Sequence, residues 1–528
     1  MPLSLVEPQT ASPDRAAPPQ VSQGGAARAL YAAVTLLVLL AALLHRALLG
    51  SPPVFPVDDA YITLHNAQVL HWRHDPNFAG TPALAGTTSA VHLALVALLM
   101  FALSPPVALW AALWMATLAY ALGLVRLARV HGGSPAQALL LALVGLGAGQ
   151  VPHQLMNGLE TGLVLAAVTW ALVLASEMGR AGPGDDGRPA RRRVWLPCLC
   201  GALPFIRPDL LPLSLGLLGL LAGRHIRAVG DWRGAVRPVL ADLGLAVLCA
   251  APWAFWYWAS LGTPYPGTVE AKRLFFAQDV LPAPVKAQMV CKDLALFAGD
   301  LGLLTFGALL LGRTALGRVG LLFALALTSA YYLRFPDALG FYEGRYLYPL
   351  LPLVLYGAAS AWRVGPQGTR PEVRAAVTGL LVLCLVQSYW RAPDFWARHQ
   401  AYCGFTRHDL AGTAAWCNAH LPPGSTLLIH DAGYIAYGTR FRLVDLVGLK
   451  TPSSVAAHRA LTHPSGGALR GPAVSRIARA GHTEYLVVLG GWDGIFGLSS
   501  GLRAQGWGVR RVNGQYAYQV YALRPPRR

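Results

Sequence analysis

The chain has 528 residues, of which 54% are hydrophobic and only 13% are charged. Soluble domains carry about 25% charged residues, so this composition excludes a soluble enzyme. A net charge of +18 would by itself suggest nucleic-acid binding, but long, almost charge-free runs exclude that class for most of the chain. Because roughly 20 apolar residues span a bilayer as a helix, these runs predict a polytopic α-helical membrane protein.

Residues 1–27 are rich in Pro, Ala, Ser and Gln and are predicted to form a disordered leader. The apolar run Leu30–Leu49 follows. It is too long for the core of a signal peptide and no small-residue cleavage site follows it, so we interpret it as a retained helix that opens a transmembrane domain over residues 28–390.

Lys and Arg cluster in short loops between the apolar runs, and this bias predicts that those loops are cytoplasmic. They are Arg126–Arg129, Arg180–Arg193, Arg224–Arg237, Arg313–Arg318 and Arg363–Arg374. The alternate segments then face outward, namely Gly50–Ser89, Val151–Glu160, Arg207–Asp209, Ala259–Asp300 and Arg334–Arg345.

This topology requires the short run Ala90–Leu103 to lie in the membrane plane or to be re-entrant, because Ser104-Pro105-Pro106 follows it at once. About eleven spans result, with the N-terminus in the cytoplasm and the C-terminal tail on the outer side. The predicted location is therefore the cytoplasmic (inner) membrane, crossed many times.

The tail, residues 391–528, has no spanning run and is predicted to be a small extracytoplasmic α/β domain. Leu410–His420 is predicted to be a helix, and Thr426–His430, Tyr485–Leu489 and Tyr516–Leu523 are predicted to be strands. Cys403 and Cys417 lie in this polar region and could form a disulfide if the region is exported.

Two adjacent carboxylates, Asp58 and Asp59, give the strongest signal of function. They stand at the start of Ala60–Trp72, whose apolar and aromatic residues recur at helical spacing. Capping of the helix N-terminus, worth about 1 kcal/mol, would explain one Asp. A pair of acids in a strongly basic protein fits capping less well, and the pair therefore suggests a catalytic role.

Other charged residues are predicted to meet on the same membrane face. Each has a plain structural interpretation as a helix cap or a snorkelling anchor, but charges near spans tend to mark functional sites. The candidates for substrate binding are Glu160, Arg207, Asp209, Lys272, Glu343 and Arg345, together with Tyr61 beside the acidic pair.

Carboxylates, arginines and a lysine at the outer face suit one kind of chemistry. A carboxylate can act as general base toward a hydroxyl, while guanidinium and ammonium groups stabilise a departing phosphate. An enzyme outside the cytoplasm has no supply of nucleotide sugars, so the donor would be lipid-linked. Sugar transfer from a polyprenyl phosphate fits these constraints.

The motifs, taken in order, resemble those of the GT-C superfamily of glycosyltransferases. They are Asp58-Asp59-Ala60-Tyr61-Ile62, Ala85-Gly86-Thr87-Thr88-Ser89, Asn157-Gly158-Leu159-Glu160-Thr161, Ile206-Arg207-Pro208-Asp209, Gly262-Thr263-Pro264 with Lys272, Arg345-Tyr346, Asp431-Ala432-Gly433 and Val444–Leu449. The pattern is most similar to cell-wall arabinofuranosyltransferases and their uncharacterised bacterial relatives.

The resemblance implies an inverting transfer from a polyprenyl-phosphate sugar to an envelope glycan, lipid or protein. It assigns the base to Asp58 or Asp59, with Asp58 as our prediction and the other acid orienting. It implies that Glu160 binds sugar or acceptor and that Arg207, Lys272 and Arg345 bind the donor phosphate. Some relatives also use a divalent metal, but no set of ligands can be counted here. Asp209 and Gly267 depart from the family pattern and leave the sugar open.

A transporter or flippase of lipid-linked sugars is the alternative, and a scaffold with a ligand-binding tail is a third interpretation. A transporter would be expected to have repeat symmetry, which is not found. The charge itself divides by predicted compartment: the cytoplasmic segments and the tail are basic, and the outer loops are slightly acidic. The expected partners are therefore the lipid-linked donor, the acceptor and anionic membrane lipids, and not nucleic acid.

Overall fold

The computed structural model describes residues 23–49, 52–179, 194–363 and 369–526, and most of them are helical. The helices before the tail are, in chain order, α1 (Gln23–Leu49), α2 (Asp58–Trp72), α3 (Ala90–Leu99), α4 (Pro105–Val130), α5 (Pro135–Gly147), α6 (Val151–Met156), α7 (Thr161–Met178), α8 (Trp195–Ile206), α9 (Leu211–Val229), α10 (Trp232–Leu261), α11 (Thr268–Phe276), α12 (Ala283–Leu301), α13 (Phe306–Leu309), α14 (Ala315–Arg334), α15 (Leu351–Ser360) and α16 (Pro371–Phe405).

Eight helices of the described part are long and apolar enough to cross a membrane. Four shorter apolar helices accompany them, Ala90–Leu99, Pro135–Gly147, Trp195–Ile206 and Tyr348–Ser360. The predicted spans correspond to the eight long helices and to three of the shorter ones. The fourth, Ala90–Leu99, is the segment that was predicted not to span, and it has 10 residues. The prediction of a multi-pass membrane protein is confirmed.

Three predicted boundaries differ from the structure. A helical segment, Ala283–Arg313, begins inside the predicted outer loop 259–300. Two lysines interrupt the apolar pattern of its first half, and in the structure Lys286 is partly exposed and Lys292 is exposed. Helix α16 continues past residue 391 to Phe405 with Pro393 inside it, so the predicted start of the tail falls within this helix. Helix α1 begins at Gln23, and residues 1–22 of the predicted leader lie outside the described residues.

The tail contains a five-stranded sheet flanked by helices. Its strands are β1 (Thr426–Ile429), β2 (Arg442–Asp445), β3 (Tyr485–Leu489), β4 (Gly508–Asn513) and β5 (Tyr518–Arg524), and its helices are α17 (Ala411–His420), α18 (Tyr434–Gly438), α19 (Pro452–Ala457), α20 (Arg470–Ala480), α21 (Gly490–Phe496) and α22 (Leu498–Ala504). The sheet order is β2-β1-β3-β5-β4. Strand β1 pairs in parallel with β2 and β3, while β5 pairs antiparallel with β3 and β4.

The tail confirms the predicted helix and the three predicted strands within a residue or two. Strands β2 and β4 were not predicted, because each carries arginines on exposed positions that mask the alternation. Two apolar layers cover the sheet, one around Leu428 and Leu486 and the other around Leu427 and Val487. Adjacent strand residues point to opposite faces, so a short strand contributes to both layers.

Cys403 and Cys417, which could have paired, are both buried free thiols. The Cys403 sulfur lies 3.6 Å from the Val54 carbonyl oxygen and 3.6 Å from the His399 ring. Cys417 packs in the apolar layer beneath the sheet. The pairing that the sequence left open is therefore not formed in the structure.

Candidate active site

Asp59, in the first turn of helix α2, lies in a cleft between this helix, helix α11 and the turn before helix α7. Its Oδ2 lies 3.5 Å from Nζ of Lys272 and 3.6 Å from Nη1 of Arg345. The cleft is also lined by Thr88, Glu160 and Thr268, and by Leu449 from the tail. Burial opposes the charge on Lys272, but the Asp59 carboxylate outweighs it and raises the pKa of Lys272.

Arg345 is the most deeply buried charge in the cleft. Its side chain is 3% exposed, and Nη2 lies 3.4 Å from Oε1 of Glu160. The guanidinium lies against the rings of Tyr346 and Tyr342, at 4.7 and 5.3 Å from their centroids. Nε and Nη1 have no hydrogen-bond partner among the described residues. Buried N–H groups without partners are rare, so these two are available to an anionic ligand.

A strained turn places Arg345 in the cleft. Tyr342 and Glu343 both have left-handed backbone angles, with φ of 51° and 58°, and Gly344 follows with φ of 74°. Each such non-glycine residue costs on the order of 1–3 kcal/mol. The Gln154 amide offsets part of this by donating to the carbonyls of Tyr342, at 2.7 Å, and Glu343, at 3.1 Å.

Glu343 was predicted to bind substrate, but its carboxylate points to helix α16. There it accepts a hydrogen bond from the Tyr402 hydroxyl at 2.6 Å and lies 3.8 Å from Arg398. It does not line the cleft. In the structure Glu343 therefore supports the strained turn through its contacts with α16 and does not face the candidate cleft.

Glu160 reaches the cleft because of the tight turn before it. Gly158 has φ of 88°, and a Cβ at this position would collide with Ala60 and Phe55, so glycine lets the turn abut helix α2. Burial works to raise the pKa of Glu160, but the charges of Arg345 and Arg207 outweigh it, and the pKa is lowered. Glu160 is therefore an ionised partner of the buried arginine.

Arg207 and Asp209 form a pair that lies behind the cleft. The Arg207 guanidinium donates to both Asp209 oxygens at 2.7–3.0 Å and is 1% exposed. It also donates to the carbonyls of Arg345, at 3.3 Å, and Tyr346, at 3.4 Å. The Tyr331 hydroxyl donates to Asp209 at 3.1 Å. The pair holds the segment that carries Arg345, whereas it was predicted to bind substrate directly.

Asp58, predicted to be the base, faces the tail and not the cleft. It is 9% exposed, and its two carboxylate oxygens accept hydrogen bonds from the backbone N–H of Gly433 and Tyr434, at 2.9 and 2.7 Å. Burial and the nearby Asp431 carboxylate raise the pKa of Asp58. With both oxygens engaged, Asp58 is placed to dock the tail, and the geometry does not favour it as the base.

Tyr61 also belongs to this docking surface. Its hydroxyl accepts a hydrogen bond from the Phe55 N–H at 3.1 Å, and its ring centroid lies 4.5 Å from that of Tyr434 and 5.4 Å from that of Tyr437. It is 3% exposed and does not line the cleft. The predicted substrate contact is replaced by aromatic packing between loop and tail.

A buried polar network that the sequence analysis missed ties the tail to α2. Lys450, from the tail, is fully buried, and its Nζ lies 3.0 Å from Asp75 and donates to the side-chain amide oxygen Oδ1 of Asn66 at 2.7 Å. Asn66 in turn donates to Thr87, a cleft residue, at 2.7 Å. Burial works to raise the pKa of Asp75, but His65 and Lys450 outweigh it, and the pKa is lowered. The only sequence signal was a lysine at the end of an apolar segment.

The site does not offer a set of metal ligands. Within the described residues, no group of three or more His, Cys, Asp or Glu side chains is arranged to hold a metal ion. Asp59 faces two cations, and Asp58 accepts from two backbone N–H groups. The residues present therefore do not fit a divalent metal between the paired acids.

The fold is similar to that of solved membrane glycosyltransferases. ArnT from Cupriavidus metallidurans, in a crystal structure bound to undecaprenyl phosphate, matches with a TM-score of 0.55 and 12% identity over 95% of this chain and 98% of that chain. The oligosaccharyltransferase from Archaeoglobus fulgidus matches with a TM-score of 0.50 and 12% identity over 93% and 74%. The chain has the GT-C fold.

A third GT-C structure, the arabinofuranosyltransferase AftD from Mycobacteria, matches with a TM-score of 0.49 and 18% identity over 95% of this chain and 40% of that chain. Residues 396–521 match a family described as a domain of unknown function (DUF8728). No curated protein sequence matches the chain. The likeness to ArnT and to the Archaeoglobus oligosaccharyltransferase confirms the predicted fold class.

Proposed function

We propose that the chain transfers a sugar from a polyprenyl-phosphate donor to a hydroxyl of an envelope glycan, lipid or protein. The observation that carries the proposal is the Asp59 carboxylate beside Lys272 and Arg345, whose Nε and Nη1 lack hydrogen-bond partners within the described residues. This arrangement supplies a base and two cations in one cleft. The undecaprenyl phosphate bound to the similar ArnT structure supports a lipid phosphate as the ligand class.

In the proposed reaction, Asp59 accepts the proton of the acceptor hydroxyl as its oxygen forms a bond to the anomeric carbon. The bond from that carbon to the phosphate oxygen breaks, and the electron pair leaves with the polyprenyl phosphate. Lys272 and Arg345 stabilise the charge that grows on the departing phosphate. A single displacement from the opposite side inverts the anomeric centre.

The proposed binding step follows from the ion pairs of Asp59 in the cleft. Asp59 is held by both cations, and each ion pair is longer than 3.4 Å. A donor phosphate would compete for the same cations, because Nε and Nη1 of Arg345 have no hydrogen-bond partner within the described residues and a phosphate oxygen can accept from either of them. Asp59 would then be released from these pairs, which prepares it to act as base only when the donor is bound.

The proposal also sets the membrane orientation. With the basic loops in the cytoplasm, as the charge bias predicts, the N-terminus is cytoplasmic and the cleft and tail lie on the outer face of the cytoplasmic membrane. The lipid tail of the donor would then lie among the spans while its phosphate stays at the interface. The acceptor would reach the cleft from the side of the tail, where Leu449 contributes to the lining.

The test uses the purified full chain in detergent with a panel of polyprenyl-phosphate pentoses and hexoses and a panel of acceptors. Mass spectrometry measures released polyprenyl phosphate and the glycosylated acceptor. Asp59→Asn should lower transfer by a factor of about 10²–10⁴ without changing the thermal unfolding temperature. Asp394→Asn is the matched control, because Asp394 is exposed outside the cleft.

Full activity of the Asp59→Asn variant would exclude Asp59 as the base. If Asp58→Asn abolishes transfer in a protein that still binds its tail normally, the base is Asp58 instead. A third outcome would contradict the proposal: the protein moves lipid-linked sugar across the membrane of reconstituted vesicles but forms no product with any donor and acceptor. This result would favour the transporter alternative and exclude the proposed transferase.

A further inference from the structure

A second polar cavity lies at the other end of the helices that carry the cleft. It has a volume of about 580 Å³, within the range of small-ligand sites. Three arginines line it, Arg224 of α9, Arg313 before α14 and Arg363 after α15. None of the residues discussed for sugar transfer contributes to it.

The length of α7 places this cavity across the membrane from the cleft. The helix begins at Thr161, next to Glu160, and ends at Met178, next to the cavity residue Gly179. Its 18 residues correspond to about 27 Å, close to the roughly 30 Å thickness of the hydrocarbon core. With the cleft on the outer face, the arginine cavity opens at the cytoplasmic interface.

The positive charges of the cavity are not balanced within the described part of the chain. No acidic residue is among its described lining residues, and none of the three arginines forms an ion pair with a described residue. Arg224 donates to the Ala175 carbonyl at 3.0 Å, and Nε of Arg363 has no hydrogen-bond partner in the described structure. Like charges grouped in this way repel unless an anion lies between them.

Hydroxyl groups and a helix start complete the site. Ser176 is 6% exposed, lines the cavity, and its Oγ has no hydrogen-bond partner among the described atoms. The Thr314 hydroxyl accepts from the Gly317 N–H at 2.9 Å and lies 2.8 Å from the Tyr356 hydroxyl. The first turn of α14 also faces the cavity, and helix N-termini attract anions.

We propose that this cavity binds a phosphate group at the cytoplasmic membrane interface. Guanidinium groups, hydroxyls and a helix N-terminus are the donors that phosphate oxygens accept from, and a planar guanidinium can contact phosphate through two bonds. The phosphate belongs either to the headgroup of an anionic lipid or to a soluble phosphate ester. The two sources share the same contacts, and the experiment separates them.

The lipid arm places the full chain in nanodiscs of phosphatidylcholine with or without phosphatidylglycerol, and native mass spectrometry counts the lipids retained after mild activation. The wild type should retain phosphatidylglycerol preferentially. Arg313→Gln combined with Arg363→Gln should lower its retention by about tenfold or more. Arg318→Gln is the control, because Arg318 is exposed near the same end of α14 but outside the cavity.

The soluble arm titrates inorganic pyrophosphate into phosphatidylcholine nanodiscs by calorimetry. Binding that the double variant loses and Arg318→Gln keeps would support a soluble phosphate ester as the source. The proposal is overturned if neither probe binds the wild type better than the double variant, or if Arg318→Gln has the same effect. Because Arg313 is exposed, the single variant Arg313→Gln should fold normally. If this variant retains phosphatidylglycerol and binds pyrophosphate as well as the wild type does, the result would also count against the site.

Discussion

The two sides of helix α2 use charge in opposite ways. On the side that faces the tail, Asp58 accepts two backbone hydrogen bonds and Asn66 bonds to both Lys450 and Thr87. On the side that faces the cleft, Asp59 meets two cations only at ion-pair distance, and Nε and Nη1 of Arg345 have no hydrogen-bond partner within the described structure.

This difference suggests that the tail side of α2 has a structural role and that the cleft side has a chemical one. Buried polar groups are expected to have partners, so a fully bonded side stabilises the fold and an unsatisfied side awaits a ligand. Successive residues of a helix point about 100° apart, which lets adjacent acids serve both purposes. If the tail side is structural, substitutions there should lower the stability of the fold or loosen the tail.

The largest expected effect is the loss of the buried lysine. Lys450→Met leaves Asp75 buried with the His65 ring as its remaining side-chain partner, and breaking a buried pair costs about 3–5 kcal/mol. Thermal unfolding of the full chain in detergent should therefore occur at a much lower temperature. Lys292→Met, at a lysine of α12 whose side chain is 63% exposed, should change stability by less than about 1 kcal/mol.

The double variant Lys450→Met with Asp75→Asn sharpens this test. Removing both charges leaves no unpaired charge in the interior, so the double variant should be more stable than Lys450→Met alone. A double variant as unstable as the sum of the single variants would mean that the pair does not interact as the 3.0 Å distance indicates.

A smaller loss is expected where the tail backbone meets Asp58. A Cβ on Gly433 would collide with the backbone and carboxylate oxygens of Asp58, so Gly433→Ala must push the tail away and weaken both hydrogen bonds. Overpacking of this kind costs about 1–3 kcal/mol. Gly491→Ala is the control, since nothing lies within 4 Å of its added Cβ.

Hydrogen exchange of the amides around Tyr434 measures this effect directly. Gly433→Ala should exchange faster there than the wild type, while Gly491→Ala should not. Unchanged exchange in both variants would show that the Asp58 contacts do not hold the tail, and Asp58 would return as a candidate base.

Local pattern was sufficient for much of this architecture. Apolar runs predicted the spans, the 3.6-residue repeat predicted helix α2, and one residue of the acidic pair, Asp59, lines the cleft. The different roles of Asp58 and Asp59 could not be predicted, because Asp58 depends on backbone groups 375 and 376 residues away. The same holds for Lys450, whose burial depends on contacts with the first outer loop.

The supporting residues were misassigned for a related reason. A charged residue beside a span has the same sequence signature whether it touches substrate or another side chain. Arg207 finds Asp209 two residues away and then holds the Arg345 segment, while Glu343 is turned toward α16 by left-handed backbone angles. Neither outcome is visible in motif spacing, because both depend on tertiary contacts and backbone angles.

The smallest effect is expected from the exposed arginines of the tail. Their charges are solvated, in contrast to the buried charges on the two sides of α2. Arg476 and Arg479 are exposed on α20, and we predict that they attract anionic acceptors. Arg476→Gln with Arg479→Gln should raise KM for an anionic acceptor about twofold to fivefold, because exposed ion pairs are worth up to about 1 kcal/mol. Replacement of both by Lys should restore KM, kcat should stay constant, and added salt should remove the difference. An unchanged KM at low salt would instead place acceptor recognition in the cleft alone, on the side of α2 that carries Asp59.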